Sequence, residues 1–470
     1  MPRTKIVCTL GPASRSPEVI ERMIAAGMDV ARLNFSHGTR SEHSEVIAAV
    51  RSIASRLGRA IAIIQDLAGP KIRVGPIKDG PIFVQPGSSL TLTNRQVAGD
   101  EREISTTFPD LPKNVLPGDT LLLSDGALEL EVLETTDTDI RCKVVIGGPL
   151  SSHKGINLPN RSIKAPSLTD KDREDLVFGI QQQVDYVALS FVRTASDVLE
   201  ARRLIEERGG DIPLIAKIEK HEALSNIDEI IQVADGIMVA RGDLGIETPL
   251  ESVPLVQKML IEKSNRAGKP VITATQMLRS MVDAPRPTRA EVTDVANAVF
   301  DGTDAVMLSE ETAIGKYPVE AVAMMAKIAE DAESGFPFDV WMARAAAKSD
   351  VAPAEAVGQA ACHLARDVNA AAIVTFTQSG STARLIAKHR PRHTILAPTP
   401  LEETYRRLSL VWGVVPILSE SMANTDEMIS KALSAALESG LVHRGQRVVI
   451  TAGAPMGVRG TTNLIKVDEL

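Results

Sequence analysis

The chain has 470 residues, of which 44% are hydrophobic, 24% are charged and only 3% are aromatic, and its net charge is −8. This acidic balance disfavours nucleic acid as a main partner, because phosphate-backbone binding needs a basic face, and no apolar run is long enough to cross a membrane. Three scattered cysteines and an N-terminus without a secretory apolar stretch predict a reducing cytoplasm, and the length predicts two to four domains.

Eight short apolar runs alternate with amphipathic helical segments along the chain. The runs are Lys5–Leu10, Val30–Phe35, Ala60–Leu67, Tyr186–Phe191, Pro213–Glu219, Gly236–Ala240, Val271–Gln276 and Ala305–Glu310. The helical segments include Pro17–Ala26, Glu42–Leu57, Ala195–Glu207 and Pro254–Ala267. Continuous apolarity is typical of parallel strands that are covered on both faces. Because six of the seven spacings between strand starts fit one βα unit, the pattern predicts a (β/α)₈ barrel over residues 1–69 and 166–336.

Two other regions have a different pattern. Residues 70–165 are rich in Gly and Pro and contain short alternating strands such as SSLTLTN and IRCKVVI, which predicts a small inserted β domain, the lid. Residues 337–470 contain an Ala-rich helix and the runs AAIVTF, TILAPT, VVPILS, RVVITAG and LIKVDEL, which predicts a separate open α/β domain. The segment SGFPFDVW between barrel and C-terminal domain is a candidate hinge.

Polar residues gather just where the predicted barrel strands end, the edge at which such barrels carry their active sites. They are Arg32, Asn34, Ser36, His37, Gln65, Asp66, Lys71, Arg73, Ser190, Lys217, Glu219, Arg241, Gly242, Asp243, Thr273, Thr275, Ser309 and Glu310.

A magnesium site is predicted around Lys217, Glu219 and Asp243. Lys217 and Glu219 are two residues apart on a strand, so both point into the barrel mouth. A buried Lys beside a carboxylate is alternatively a structural ion pair. Two carboxylates without nearby Cys or His make an oxygen-only site of the kind that Mg²⁺ prefers.

Arginines and a predicted helix start extend this site. Arg32 and Arg73 follow barrel strands and, with Lys217, supply cations that could hold phosphate, although a lone arginine is often only a solvated surface residue. Gly242 and Asp243 precede a candidate helix, whose free N–H groups could hold a substrate carboxylate. The sequence lacks a GxxxxGK[ST] loop, which excludes a P-loop kinase.

Ten segments then identify a family resemblance over essentially the whole chain. They are KIVCTLGPAS, VARLNFSHGT, DLAGPKIRVG, KGINLP, SFVRTASDV, PLIAKIEKHEAL, MVARGDLGIE, GKPVITATQML, PTRAEVTDVANAVFDGTDAVMLSEETAIGKYP and GTTN. In these segments the chain resembles pyruvate kinase. The resemblance implies that phosphoenolpyruvate gives its phosphoryl group to ADP, producing ATP and pyruvate, and that the protein is a homotetramer.

The resemblance also implies roles for individual residues. Glu219 and Asp243 would hold Mg²⁺, and Lys217 would stabilise charge on the phosphoryl group and the enolate oxygen. Arg32 and Arg73 would grip phosphate. The backbone of Gly242 and Asp243, together with Thr275, would contact the substrate carboxylate, and Thr275 would lie on the proton route to the enolate carbon. The predicted nucleotide contacts are Asn34, Ser36, His37, Arg73 and Lys154, the last brought over ADP by lid closure.

One position departs from many members of the family. These members hold K⁺ with groups that match Asn34, Ser36, Asp66 and residue 67, which is often Thr and here is Leu67, whose carbonyl could still bind the ion. The residue that matches Lys71 is Glu in K⁺-dependent members. A Lys at this position can place an ammonium group near the pocket, so we predict that Lys71 replaces K⁺; the alternative is a surface lysine with K⁺ still bound.

The C-terminal domain contains a candidate effector site. The segment Thr377-Gln-Ser-Gly-Ser-Thr382 joins a predicted strand to a helix, and its free N–H groups and the hydroxyls of Thr377, Ser379, Ser381 and Thr382 could bind phosphate. The resemblance implies an allosteric sugar-phosphate site there, and the loop AGAPMGVRGTTN favours a sugar monophosphate or AMP over fructose bisphosphate. The alternative is an ordinary strand-to-helix turn.

Two other classes of function compete with a kinase. A barrel lyase that acts on enolates could also use Mg²⁺ on two carboxylates, but it would not need the lid, Arg73 and Lys154. A non-catalytic metabolite sensor should have lost a metal ligand or Lys217, and this sequence retains all three residues.

Overall fold

The computed structural model of the protein describes residues 2–159, 166–346, 351–420, 424–453 and 462–470. The strands are β1 (Lys5–Thr9), β2 (Val30–Asn34), β3 (Ala62–Asp66), β4 (Ile82–Val84), β5 (Ser89–Thr93), β6 (Glu103–Ser105), β7 (Thr120–Leu123), β8 (Leu128–Thr135), β9 (Asp139–Ile146), β10 (Gly148–Leu150), β11 (Ile156–Asn157), β12 (Tyr186–Leu189), β13 (Leu214–Ile218), β14 (Gly236–Ala240), β15 (Val271–Ala274), β16 (Ala305–Leu308), β17 (Ala372–Thr375), β18 (Thr394–Thr399), β19 (Val414–Leu418), β20 (Arg447–Gly453) and β21 (Thr462–Glu469).

Helices separate most of these strands. They are α1 (Pro17–Ala26), α2 (Arg40–Arg56), α3 (Leu111–Asn114), α4 (Asp170–Gln181), α5 (Ala195–Glu207), α6 (His221–Ser225), α7 (Ile227–Val233), α8 (Arg241–Glu247), α9 (Val253–Ala267), α10 (Arg289–Phe300), α11 (Glu310–Ala313), α12 (Pro318–Ser334), α13 (Phe338–Ala346), α14 (Pro353–Asp367), α15 (Ser381–Lys388), α16 (Glu402–Arg407) and α17 (Thr425–Glu438). Among the described residues, none of these helices is both long and apolar enough to span a membrane.

The predicted barrel is confirmed. Its parallel strands close in the order β1-β16-β15-β14-β13-β12-β3-β2. Alternate strand residues fill the barrel interior, and the residues between them pack under the surrounding helices, which is why each run is apolar throughout. The interior side chains include Val7, Val30, Ile64, Ala188, Ile215, Met238 and Ile272.

Several barrel strands end earlier than their apolar runs suggest. β15 stops at Ala274 because Thr275 and Gln276 have φ angles of +70° and +56°. β12 stops at Leu189, and Phe191 has a φ angle of +56°. A left-handed backbone cannot continue a strand. Non-glycine residues adopt this conformation at a cost of about 1–3 kcal/mol each, and residues of this kind cluster at functional sites. The chain therefore turns abruptly at the mouth of the barrel.

The lid is built from a six-stranded sheet in the order β11-β7-β8-β9-β5-β6 and a two-stranded sheet of β10 and β4. It has its own apolar core, in which Leu90, Leu92, Leu121 and Leu130 are fully buried. The lid leaves the barrel after β3 and returns through β11, so both of its connections lie at the barrel mouth.

The C-terminal region forms a five-stranded sheet in the order β19-β18-β17-β20-β21. The first four strands are parallel, and β21 pairs antiparallel to β20. The segment predicted as a hinge is packed, because Phe336 and Phe338 are buried against Trp412 of the C-terminal region. Trp412 also lies under the Arg390 guanidinium, which pairs with Asp304 next to β16 at 2.9 Å.

Candidate active site

A network of buried charged side chains lies at the mouth of the barrel. Lys217 Nζ lies 2.9 Å from Glu219 Oε1 and 3.1 Å from Asp66 Oδ1. Arg32 Nε donates to the other oxygen of Asp66 at 2.6 Å, and its terminal nitrogen donates to Thr9 Oγ1 at 2.8 Å. These residues come from four different strands or strand ends, so closure of the barrel alone brings them together.

The charged side chains in this network stabilise one another. Burial alone would lower the pKa of Lys217, but Asp66 and Glu219 outweigh it, so the pKa is raised and the ammonium stays charged. Burial alone would raise the pKa of Asp66, but Arg32 and Lys217 hold it below its usual value. Lys217 is thus a cation held in a largely buried site.

Glu219 and Asp243 form the acidic edge of the site. Burial raises the pKa of Glu219, Lys217 opposes this rise, and the negative charge of Asp243 adds to it. The negative charges of the two carboxylates therefore repel each other, and a divalent cation would relieve this repulsion. With oxygen ligands only, this donor set fits Mg²⁺.

Lys71 contacts this acidic edge from the lid connection. Its Nζ lies 3.4 Å from Asp243 Oδ1 and 4.0 Å from Asp125 Oδ1. Its positive charge also acts on His37, whose pKa is lowered first by burial and then by Arg73, Arg32 and Lys71. The lowered pKa of His37 thus shows that several positively charged side chains lie near the end of β2.

The loop between β14 and α8 faces Thr275. The N–H of Gly242 donates to Thr275 Oγ1 at 2.8 Å, and that hydroxyl donates to the Ala274 carbonyl at 2.6 Å. Arg241 fixes the turn from below, because its guanidinium donates to the Thr275 carbonyl at 2.7 Å and to Asp294 Oδ1 at 2.7 Å. A helix is present at the predicted place, but α8 begins at Arg241, so Gly242 and Asp243 lie in its first turn rather than before it, and the Gly242 N–H is already used by Thr275.

The other predicted contacts surround this centre without joining it. Ser36 N–H donates to Asn34 Oδ1 at 3.1 Å, so the loop after β2 holds its own shape. Arg73 donates to the His153 carbonyl at 3.0 Å within the lid, and the side chain of Lys154 is exposed beside it. The Leu67 carbonyl, a candidate cation ligand, accepts from Ser190 Oγ at 2.8 Å.

The C-terminal candidate residues lie together at the start of α15. Thr377 N–H donates to the Pro398 carbonyl at 3.1 Å, and Ser379 Oγ donates to Ser381 Oγ at 3.1 Å. Thr382 Oγ1 lies 3.0 Å from Thr462 Oγ1. Residues 454–461 of the second predicted effector loop lie outside the described residues.

Sequence reasoning placed Ser190 at the barrel mouth but gave it no role, and it missed the contacts that hold the buried charged side chains in place. Ser190 accepts from Lys217 Nζ at 2.6 Å and touches Asp66, and the Phe191 N–H donates to Glu219 Oε2 at 2.7 Å. Gly69 packs so closely on Ser190 and Phe191 that a Cβ at this position would come within 2.9 and 2.8 Å of them. The polar end of the fourth barrel strand was the available signal for Ser190.

Comparisons with known proteins agree with this geometry. A family model described as "Pyruvate kinase, barrel domain" matches residues 1–322, and one described as "Pyruvate kinase, alpha/beta domain" matches residues 355–468. The chain is 47% identical to a pyruvate kinase of Clostridium acetobutylicum over 100% of its own length and 99% of the relative's. It is 50% identical to a pyruvate kinase of Geobacillus stearothermophilus, covering 100% of this chain and 80% of that relative.

Proposed function

The chain belongs to the pyruvate kinase family, and we propose that it transfers the phosphoryl group of phosphoenolpyruvate to ADP at the barrel mouth, giving pyruvate and ATP. The observation that carries this proposal is the buried ammonium of Lys217 between Asp66, Glu219 and Ser190. A luciferase assay for ATP formed from phosphoenolpyruvate and ADP tests it directly.

Lys217 and Arg32 would bind the phosphoryl group. Both are held by Asp66, which fixes their positions before substrate arrives. A preorganised cation needs no rearrangement during the reaction, so it stabilises the charge that develops on the phosphoryl and enolate oxygens. Arg73 would complete the phosphate grip from the lid.

Glu219 and Asp243 would hold Mg²⁺. When bound, the ion would neutralise charge on the substrate oxygens and orient them. The Phe191 N–H and Lys217 keep one oxygen each of Glu219 in a fixed direction. Family members in general depend on Mg²⁺, and we assign the ligands here to these two carboxylates.

The substrate carboxylate would lie against the turn formed by Gly242, Asp243 and Thr275. The Thr275 hydroxyl is held between the Gly242 N–H and the Ala274 carbonyl, which fixes its orientation, and the enolate carbon of the substrate would lie beside it. We assign Thr275 to the route by which a proton reaches that carbon.

The nucleotide would bind between the loop after β2 and the lid. Asn34, Ser36 and His37 supply one side, and Arg73 and the exposed Lys154 supply the other. Closure of the lid (70–165) on the barrel (1–69 and 166–336) would exclude water from the transferring group.

Separate apolar cores in the barrel, the lid and the C-terminal region (337–470) support these domain bounds.

Lys71 would replace K⁺, and the wild-type enzyme should keep most of its turnover with tetramethylammonium as the only monovalent cation. The Lys71 ammonium lies at Asp243, and its charge reaches the loop that carries Asn34 and Ser36. Lys71→Glu should lower turnover without K⁺ by about tenfold, a loss of about 1.4 kcal/mol that added K⁺ restores. Loss of nearly all wild-type activity in tetramethylammonium would refute this role.

A phosphorylated effector, either a sugar monophosphate or AMP, would bind Thr377, Ser379, Ser381 and Thr382. The enzyme would be a homotetramer. Such a ligand should shift the phosphoenolpyruvate saturation curve to lower concentration by roughly fivefold, a typical coupling between sites. Ser381→Ala should abolish the shift, whereas Ser434→Ala on the exposed face of α17 should preserve it. If neither glucose 6-phosphate nor AMP changes the curve, the site is an ordinary turn.

A further inference from the structure

A second group of metal-binding side chains lies beside the proposed magnesium site. His221 and Glu222 begin α6, and Glu247 ends α8. One ligand atom from each of the three residues lies within 4.8 Å of the other two. His221 Nδ1 is 3.3 Å from Glu222 Oε2 and 3.5 Å from Glu247 Oε2.

Glu247 provides a separate sign that a ligand is missing from this group. Its side chain is only 1% exposed. One oxygen accepts from Lys220 Nζ at 2.6 Å and from Asn157 at 3.3 Å, whereas no residue that the structure describes donates a hydrogen bond to Oε2. His221 Nδ1 is also buried, and it has no hydrogen-bond partner within the described ranges. A buried carboxylate oxygen without a hydrogen-bond donor is destabilising, so a ligand that satisfies it is expected.

The spacing of these atoms distinguishes between metals. Zn²⁺ holds His nitrogen and carboxylate oxygen at about 2.0–2.2 Å in a tetrahedron, which separates neighbouring ligand atoms by about 3.4 Å. Octahedral Mg²⁺ at about 2.1 Å would bring them to about 3.0 Å. The two separations that involve His221, 3.3 and 3.5 Å, lie closer to the tetrahedral value. An imidazole ligand also favours a first-row transition ion over Mg²⁺.

We propose that His221, Glu222 and Glu247 bind a tetrahedral divalent transition ion, with Zn²⁺ as the reference ion and water as the fourth ligand. Lys220 and Asn157 hold the second oxygen of Glu247, the outer support that metal-binding carboxylates usually have. The His221 side chain is 36% exposed, which gives the ion a route from solvent.

The ion would lie between α6 and α8 and next to β11. His221 follows the proposed magnesium ligand Glu219 by two residues, and Glu247 follows Asp243 by one helical turn. Asn157 belongs to β11, through which the lid returns to the barrel. The bound ion would therefore connect the segment after Glu219 with the helix that carries Asp243, and through Glu247 and Asn157 it would also connect them to the base of the lid. A ligand that binds only the folded protein stabilises the folded state.

Visible absorption of Co²⁺ is the test, because four-coordinate Co²⁺ absorbs far more strongly than octahedral Co²⁺. Full-length protein is stripped with a chelator, supplied with excess Mg²⁺ to fill the first site, and titrated with Co²⁺. One equivalent should give the strong tetrahedral bands, and Zn²⁺ should abolish them by displacement. His221→Ala and Glu247→Gln should lower Zn²⁺ affinity by at least about 100-fold.

His443→Ala is the matched control, since this histidine is exposed in the C-terminal region and should bind Co²⁺ like the wild type. Circular dichroism and pyruvate formation in Mg²⁺ establish that each variant is folded. Should Glu247→Gln fail to fold, His221→Ala decides alone. The proposal is overturned if the wild type gives no tetrahedral bands, or if folded His221→Ala binds Zn²⁺ as tightly as the wild type. Either result would leave His221 as a neighbour of the two carboxylates and no metal ligand.

Discussion

Replacing Lys217 by Met should lower kcat for pyruvate formation by at least about 10³-fold, the loss typical of removing one preorganised group that stabilises transition-state charge. Lys217 is held by Asp66, Glu219 and Ser190, so no water or neighbouring cation can take its place without rearrangement. Because the interaction is strongest in the transition state, KM for phosphoenolpyruvate should change much less than kcat. Steady-state kinetics at saturating Mg²⁺ measure both constants.

A matched lysine separates this effect from a loss of folding. Lys269 is half-buried at the opposite end of the barrel, where its ammonium binds the Gln232 carbonyl at 2.7 Å and also the Ala234 carbonyl. Lys269→Met should leave kcat close to the wild-type value, and thermal unfolding should show whether both variants are folded. A folded Lys217→Met enzyme with nearly full kcat would show that Lys217 is only a structural ion-pair partner.

Glu219→Gln should weaken Mg²⁺ activation by about 10–100-fold and lower kcat at saturating Mg²⁺ by about 10². Glutamine keeps an oxygen that can accept from the Phe191 N–H, but it removes the charge that a hard divalent cation requires. It also leaves the buried Lys217 with Asp66 as its remaining carboxylate partner. The measurement is initial rate against free Mg²⁺ concentration.

Glu310→Gln is the control for this experiment. Glu310 also follows a barrel strand, but it is exposed and pairs with Arg279 at 2.7 Å on the surface. Its replacement should leave the Mg²⁺ activation curve unchanged. If Glu219→Gln gave the same curve as Glu310→Gln, Glu219 would not be a magnesium ligand.

The barrel could be predicted from the regular spacing of its apolar strands along the sequence. The polar residues at the strand ends could be predicted from the same spacing. Lys217 and Glu219 share a face by spacing alone, and their contact at 2.9 Å confirms it. The turns at the strand ends could not be predicted. Thr275 and Phe191 adopt positive φ, which ordinary residues do only when surrounding contacts impose it, and no local pattern indicates those contacts.

Contacts between distant segments were equally hidden in the sequence. Nothing near Ser190 indicates that its hydroxyl lies between Lys217 and Asp66, since each residue comes from a different barrel strand or strand end. The packing of Phe336 and Phe338 against Trp412 likewise depends on a residue more than 70 positions away, so the segment looked like a hinge. The roles of all the site residues stay predictions, including those of Arg73, Lys154 and Lys71.

The most direct test of the central claim is pyruvate release from phosphoenolpyruvate and ADP, followed through a coupled assay with Mg²⁺ and with a chelator in its place. Phosphoryl transfer at Lys217, Glu219 and Asp243 predicts rapid pyruvate formation with Mg²⁺ and almost none without divalent cations. Equal rates in both conditions, or no pyruvate in either from folded protein, would contradict a magnesium-dependent phosphoryl-transfer site at the barrel mouth.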